Sequence, residues 1–408
     1  MVGLRPKSEP DHLGPDRFPK PAHWARYIPV HSLRSLFKVV IALAAVMLIS
    51  ACTGAPEPTA TPTPTEPASP VPIATVTELP AATETPKPAA TTAPTESPQS
   101  DEFISPYTPS APLGSGASLD PVVLQLDLEE GAVYRIRTLT TQDMSQSFEG
   151  QTFEIGQIMG FEYMYTVTSR EPDGSAWVDV SYTRAIFESE TPLGTESYDS
   201  ADSSGQIPEG AEGFAAVVGT GFSMKIGSDG EILEIEGLDE MLDQILSGLN
   251  LPDAEMRQAF ELTMRQQYSE QAMKEQLGNL LFDFPEGSLQ VGDSWSFTQE
   301  SNAILPVVAE NTYTLLDFDE NTALIEVRSE IRTGTGEGGI DFGLIDFDFT
   351  ITGTQEGTIQ VDLNTGLANS VIDQILMGEM TLIVEGEQVS VPLSILQTVQ
   401  VESVQLAP

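Results

Sequence analysis

From Leu124 onward apolar and polar residues alternate with a period of two, and that alternation confines the chain to an antiparallel β architecture. Val133-Tyr-Arg-Ile-Arg-Thr-Leu139, Tyr163-Met-Tyr-Thr-Val167, Ala176-Trp-Val-Asp-Val-Ser-Tyr182 and Ser223-Met-Lys-Ile226 each put β-branched or aromatic side chains on one face. Turn residues separate these runs: Asp173-Gly174, Asp229-Gly230 and Asn364-Thr365-Gly366, where glycine reaches the positive φ that tight hairpins require.

The pattern occurs twice. Gly131-Ala-Val-Tyr134-Arg-Ile136 matches Gly292-Asp-Ser-Trp295-Ser-Phe297, and Tyr165-Thr-Val167 matches Tyr313-Thr-Leu315. Ala176-x-Val178-x-Val180 then matches Ala323-x-Ile325-x-Val327. The hairpin at Met224-x-Ile226 with Asp229-Gly230 has its counterpart at Ile359-x-Val361 with Thr365-Gly366. Order and character persist while loop lengths vary, which predicts two copies of one antiparallel unit. Tyr134 should then occupy the place of Trp295, and Tyr165 that of Tyr313.

Between the copies the period becomes helical. Leu238, Met241, Leu242, Ile245, Leu246 and Leu249 form one apolar stripe. Pro252-Asp253 opens a second stretch bearing Met256, Phe260, Met264, Tyr268, Met273, Leu277, Leu280 and Leu281, which Phe284-Pro-Glu-Gly287 ends. The fold class expected is α+β, mainly β: two tandem related, curved, half-barrel-like antiparallel sheets with a helical segment inserted between them. The first β unit spans 118–236, the helical segment 237–287 and the second β unit 288–408.

The N-terminal third has another character. Val39–Ile49 is an unbroken apolar run of 11 residues, too short to span a bilayer and right for a signal-peptide core, with Arg34 and Lys38 as its positive flank. Ile49-Ser50-Ala51-Cys52 follows and resembles a lipobox, the site where bacterial lipoproteins are cut and acylated. Cleavage would fall between Ala51 and Cys52, making Cys52 the lipid-bearing first residue. Residues 1–51 are thus a signal peptide whose Pro-rich beginning is either an extended flank or a misassigned start. From 52 to 117, Pro, Thr, Ala, Ser and Glu dominate, as in PEPTATPTPTEPASP, and too few large apolar residues are present to fold. That stretch reads as a lipidated, disordered tether to the outer face of the cell membrane, or of an outer membrane in an organism with two.

Charge narrows the chemistry. Residues 1–51 hold 7 of the 18 Lys and Arg, 3 of the 61 Asp and Glu and all 3 His, so 52–408 carry 11 basic against 58 acidic residues, a net charge near −47. Without histidine, and with the single cysteine taken by lipid, no Ser–His–Asp or Cys–His nucleophile and no His/Cys zinc site can be assembled. Nucleic acid is repelled by such a surface.

The stretches Val291-Gly-Asp-Ser-Trp295, Asn311-Thr-Tyr-Thr-Leu315 and Gly357-Thr-Ile-Gln-Val-Asp362, with Thr191-Pro-Leu-Gly-Thr-Glu-Ser-Tyr-Asp-Ser200 and Gly237-Leu-Asp-Glu240, resemble an uncharacterised bacterial lipoprotein family, domain of unknown function 6263. The resemblance runs over about residues 124–405. It implies an envelope location and a β-rich fold, and it brings no activity and no site residues.

Several stretches invite a chemical reading. Asp317-Phe-Asp319-Glu-Asn321 has the alternate acidic spacing of a calcium loop, but Thr322 and Arg328 stand where that loop wants glycine and glutamate. Gly334-Thr-Gly336-Glu-Gly338-Gly339 lacks the Lys-Ser/Thr of a phosphate loop. A glycosidase-like carboxylate pair could be drawn from 58 candidates, and nothing selects one. No metal and no cofactor are expected. Methionine suits adaptable apolar surfaces, so Met241, Met256, Phe260, Met264 and Met273 are the candidate lining of a ligand cavity between helices and sheet, with ordinary core packing as the competing use. The sequence leads to a non-enzymatic envelope lipoprotein that binds an apolar small molecule, a lipid or another envelope component. A purely structural or protein-interaction module at the cell surface is the alternative, and a carboxylate-based hydrolase the third reading.

Overall fold

The computed structural model of the protein describes Phe103 and residues 120–148, 151–192, 194–202, 206–249, 257–258, 261–262, 264–265, 268–278, 284–301, 307–334, 346–384 and 387–407. Ala51, Cys52, residues 1–51, nearly all of 52–117, Met256 and Phe260 lie outside the described residues.

In chain order, a short β1 (Val122–Val123) precedes the first unit: β2 (Val133–Phe148), β3 (Gln151–Arg170), β4 (Ala176–Thr191), β5 (Gly194–Asp199), α1 (Glu212–Val217), β6 (Gly221–Ile226) and β7 (Ile232–Glu236). The helices α2 (Leu238–Gly248) and α3 (Glu270–Gly278) and a short β8 (Ser288–Leu289) follow. The second unit is β9 (Ser294–Ser301), β10 (Val307–Phe318), β11 (Thr322–Thr333), β12 (Asp346–Asp362), β13 (Ala368–Val384) and β14 (Glu387–Ala407). The class is mainly β and antiparallel, as the alternation requires. The two units do not stay apart: they form one 12-stranded open sheet in the order β7-β6-β4-β3-β2-β14-β13-β12-β11-β10-β9, with β5 on β4. β14 joins them, because it pairs with β13 on one side and β2 on the other.

Cross-strand register shows the duplication residue by residue. Tyr134 stands opposite Tyr165, and Trp295 opposite Tyr313. Tyr165 faces Val180 as Tyr313 faces Val327, and a bulge follows at Val167/Ser169 in one unit and Leu315/Asp317 in the other. Ile226 and Met224 lie on Ala176 and Val178 as Val361 and Ile359 lie on Ala323 and Ile325. Even the entry turns agree: Gly131 N–H donates to Val167 O at 2.9 Å, and Gly292 N–H to Leu315 O at 2.8 Å. Both glycines hold a positive φ, 89° and 93°, which a residue with Cβ adopts only under strain.

Trp295 shares its cross-strand row with Thr140, which is six residues further along β2 than Tyr134. Six residues of about 3.3 Å, accumulated over six inter-strand steps of about 4.8 Å, incline the strands by about 35° to the line relating the units. Sheets with that stagger curl. Accordingly Tyr165, Val178 and Met224 of the first unit share one core with Leu315, Ile325 and Val361 of the second.

Residues 124–128 help to make the core single. Leu126 N–H donates to Ser228 O at 2.7 Å in the β6–β7 turn, and Asp127 N–H to Thr365 O at 2.9 Å in the equivalent β12–β13 turn. Leu124, Leu126 and Leu128 are buried between the two units. The helices add to this end. α2 buries Met241, Leu242, Ile245 and Leu246, the stripe its spacing dictates, and packs on β6 and α1, while α3 packs on β7. The expected continuous second helix is broken, since Ser269 caps a new helix by accepting from Ala272 N–H at 3.3 Å.

Phe103 falls inside the stretch whose composition reads as tether, yet it is buried on the outer face of β3. Gly160 makes room for it: a Cβ there would meet Phe103 Cε1 at 2.6 Å. Arg184 and Arg137 lie over its ring at 5.0 and 5.8 Å. Arg184 is itself held by two hydrogen bonds to Asp199, which keep that carboxyl below the usual carboxylate range. One aromatic with a prepared notch therefore docks from within a stretch whose composition reads as tether.

Candidate functional site

Strand length positions the site. β2, β3 and β12–β14 run well past the helix-covered core, so their inward side chains continue into a second zone of the inner face. Alternation should make all of these apolar. One cross-strand row breaks the rule along its whole length, and Gln146, 2% exposed, breaks it singly further along β2. Asn311, Ser329, Gln355, Gln374, Gln397, Gln142, Gln157 and Ser189 stand directly opposite one another across β10, β11, β12, β13, β14, β2, β3 and β4. All eight are between 3 and 8% exposed.

This amide belt is bordered by apolar rows. On the core side lie Tyr313, Val327, Ile372, Val399, Met159 and Phe187. Beyond it lie Ala309, Ile331, Leu376, Ile395, Met144 and Ile155, then Ile351 and Leu393, and these form the outer apolar zone, into which Gln146 opposite Leu393 brings one buried amide. Part of the belt is satisfied, once from outside it and once within it. Asn311 Nδ2 donates to Gln299 Oε1 at 2.8 Å, and Gln374 Nε2 to Gln355 Oε1 at 3.4 Å. Four buried oxygens remain without a partner: Gln142 Oε1, Gln157 Oε1, Asn311 Oδ1 and Ser329 Oγ. Each unmatched buried acceptor costs roughly 1–3 kcal/mol. The belt contains no ionisable residue, so its chemistry is that of neutral hydrogen bonding.

Between the belt and the helices, the first unit holds an aromatic cluster. Tyr163 and Tyr182 pack with centroids 4.8 Å apart, and Phe161 stacks on Phe214 at 5.4 Å. Burial pushes the phenols of Tyr163, Tyr165, Tyr182 and Tyr268 up; for Tyr163 a hydrogen bond with Thr138 pulls weakly the other way. These groups stay neutral hydroxyls throughout the physiological range, so neither proton transfer nor anion chemistry is available from them at neutral pH.

Of the methionines proposed as cavity lining, Met241 and Met273 are wholly buried in the helix-covered core, and Met264 packs partly buried against it. Met256 and Phe260 lie outside the described residues. Met241, Met264 and Met273 are thus in a different place from the belt, and sequence reasoning did not find the belt. The available signal was a glutamine at an inward position in each of five strands, β2, β3, β12, β13 and β14. The acidic loop has a structural use: Asp319 Oδ1 accepts from Asn321 and Thr322 N–H, both at 2.8 Å, closing the β10–β11 turn. Asp173 closes the equivalent β3–β4 turn by accepting from Ser175 N–H at 3.0 Å.

Residues 173–368 match a family of unknown function, DUF6263, a narrower span than the resemblance in sequence. No curated protein matches the chain. Among solved structures, one of lipovitellin and its lipid–protein interactions is similar with a TM-score of 0.37 and 11% identity, over 69% of this chain; the chain spans only 26% of that protein's length. An outer membrane channel from Pseudomonas putida F1 is similar at a TM-score of 0.19 and 10% identity, over 70% of this chain and 100% of that one. OccK5 (OpdH) of Pseudomonas aeruginosa is similar at 0.20 and 9%, over 68% and 99%.

Proposed function

Because the chain carries a domain of a family of unknown function, we propose a role read from its own residues: a lipid-anchored envelope protein, non-catalytic, that holds an apolar ligand on the inner face of its curved sheet. The observation that carries this reading is the outer apolar zone. Ile331, Ile351, Leu376, Leu393, Ile395, Met144 and Ile155 turn inward beyond a polar belt that cuts them off from the helix-covered core. A fold that needed only one stable core would have no use for a second buried apolar cluster separated from it by eight polar residues. On this reading the ligand site lies in the sheet, and Met241, Met264 and Met273 serve packing.

The anchor belongs to the same reading and rests on Ile49-Ser-Ala-Cys52. Wild-type protein recovered from membranes should carry a diacylglyceryl mass on Cys52, and Cys52→Ala should stay uncut and unlabelled by lipid precursor. Processing of the Cys52→Ala chain like wild type would sink the anchor.

Ligand binding is tested with the full-length Cys52→Ser chain and an apolar fluorescent probe. Binding should saturate, weaken at least tenfold with Ile395→Asn, and survive Met273→Ala, which should cost only stability. No saturable binding, or loss with Met273→Ala alone, would return the site to the helices or remove it. A second reading as a protein-interaction module is favoured by one patch on the outer face, where Ile375 and Leu396 are direct neighbours and, with Met377, are 44 to 60% exposed.

A further inference from the structure

The amide belt says which kind of apolar ligand the inner face takes, and this inference rests on the reading just given. We propose that the belt is the head-group site for an amphiphile with a neutral, hydroxyl-bearing head, a glycosylated or polyol-headed lipid, whose chain lies along the outer apolar zone. The chemistry follows from what the belt has and lacks. Its four partnerless atoms are all oxygens, Gln142 Oε1, Gln157 Oε1, Asn311 Oδ1 and Ser329 Oγ, on side chains 3 to 6% exposed. The three amide oxygens only accept, and Ser329 Oγ both accepts and donates, so the set calls chiefly for donors; sugar or polyol hydroxyls supply several, and can also accept, at the spacing of neighbouring strands, about 4.8 Å.

Charge selects further. No belt residue is ionisable, so a phosphate or carboxylate head would enter a buried row with no cation to meet it. The acidic surface adds repulsion to that cost. A cationic head would likewise find no carboxylate in the row. A hydrocarbon without a head would leave the acceptors as they are. Only a neutral polyhydroxyl group improves the belt while the rows beyond it, Leu376, Ile395 and Met144 foremost, cover a chain.

Position supports the same assignment. The belt separates the helix-covered core from the outer zone, so a head bound there is fixed at mid-sheet while the chain runs along the strands away from the helices. β13 and β14 continue past the belt through Met380 and Val391, both buried and directly opposed, which extends the apolar track.

The experiment compares decyl β-D-glucoside, decanol, decanoate and glucose, all below micelle formation, on the full-length Cys52→Ser chain. The glucoside should bind at least tenfold more tightly than decanol and more tightly still than decanoate, while glucose alone binds far more weakly. In Gln142→Leu/Gln397→Leu the glucoside should fall to the level of decanol, with decanol unchanged. Because two buried changes could perturb folding, Gln157→Met alone should lower the glucoside preference at least threefold without altering decanol binding. Equal affinity for glucoside and decanol, a preference for decanoate, a preference untouched by the belt variants, or glucose binding as tightly as the glucoside would each overturn the head-group assignment while leaving the apolar site standing. Failure of decanol and glucoside alike would overturn both.

Discussion

Gly357→Val should cost this sheet roughly 3 kcal/mol or more of stability, enough to leave the chain partly unfolded at room temperature. Gly357 sits on the inner face of β12 between Val327 and Ile372. A Cβ there would run into the backbone oxygen of Val371 and approach Ile372 Cα to 2.8 Å. The obstruction is main chain, so no rotamer change relieves it, and β13 itself would have to move. Gly353 and Gly378 make the same close approach, against the backbone oxygens of Ile375 and Thr350. Three glycines on one inner face let β12 and β13 coil tightly together, the device by which a sheet turns a sharp curve. Urea unfolding should show a large fall in midpoint for Gly357→Val and about half that cost for Gly357→Ala. Thr358→Val, one residue on and facing outward, should leave the midpoint almost unchanged. A Gly357→Val protein as stable as wild type would mean that the curvature does not depend on these contacts.

Alkaline pH should unfold the protein in one cooperative step, with phenolate absorbance and loss of β structure rising together. The phenols of Tyr163, Tyr165, Tyr182 and Tyr268 are buried, and burial raises all four above the ordinary value of 10. A raised folded-state value means that the neutral form is favoured by the fold. Stability is then fully present below pH 10, and it is lost as the pH rises and the unfolded chain releases protons that the folded chain retains. Four such groups give a slope of roughly 5 kcal/mol per pH unit above that point, enough to consume a typical domain's stability within about two to three units. Tyr182→Phe should flatten the slope by about a quarter, because one of the four proton releases is removed. Smooth titration of every tyrosine near pH 10 with the sheet intact would contradict the burial.

Part of this was open to reading from residues alone. Period two in Tyr163–Val167 and Ala176–Tyr182 placed the inward faces, and the apolar stripe of Leu238–Leu249 placed α2 and its buried side. The paired Tyr134/Trp295 and Tyr165/Tyr313 identified a duplication whose bulges and entry turns agree in register. The methionine stripe was legible as an apolar face but not as a destination: Met241 and Met273 went into the core, because a stripe records that a helix must cover something and not what it covers. Phe103 was hidden for the converse reason. Its own neighbours carry no signal, and the notch that receives it belongs to Gly160, far along the chain.

What the sequence determined by itself is what depends on near neighbours: which segments are strands, which face of each turns inward, where glycine must turn the chain, and that one unit occurs twice. Tertiary structure alone decided that β14 joins the two units into one sheet, and that Gln142, Gln157, Gln355, Gln374 and Gln397 meet in a single row. Alternation fixes the side of a strand to which a residue points, but not its height against a partner a hundred residues away. That height is register, a property of strand pairs, and here the registers of four successive pairings had to agree before five scattered glutamines became one row.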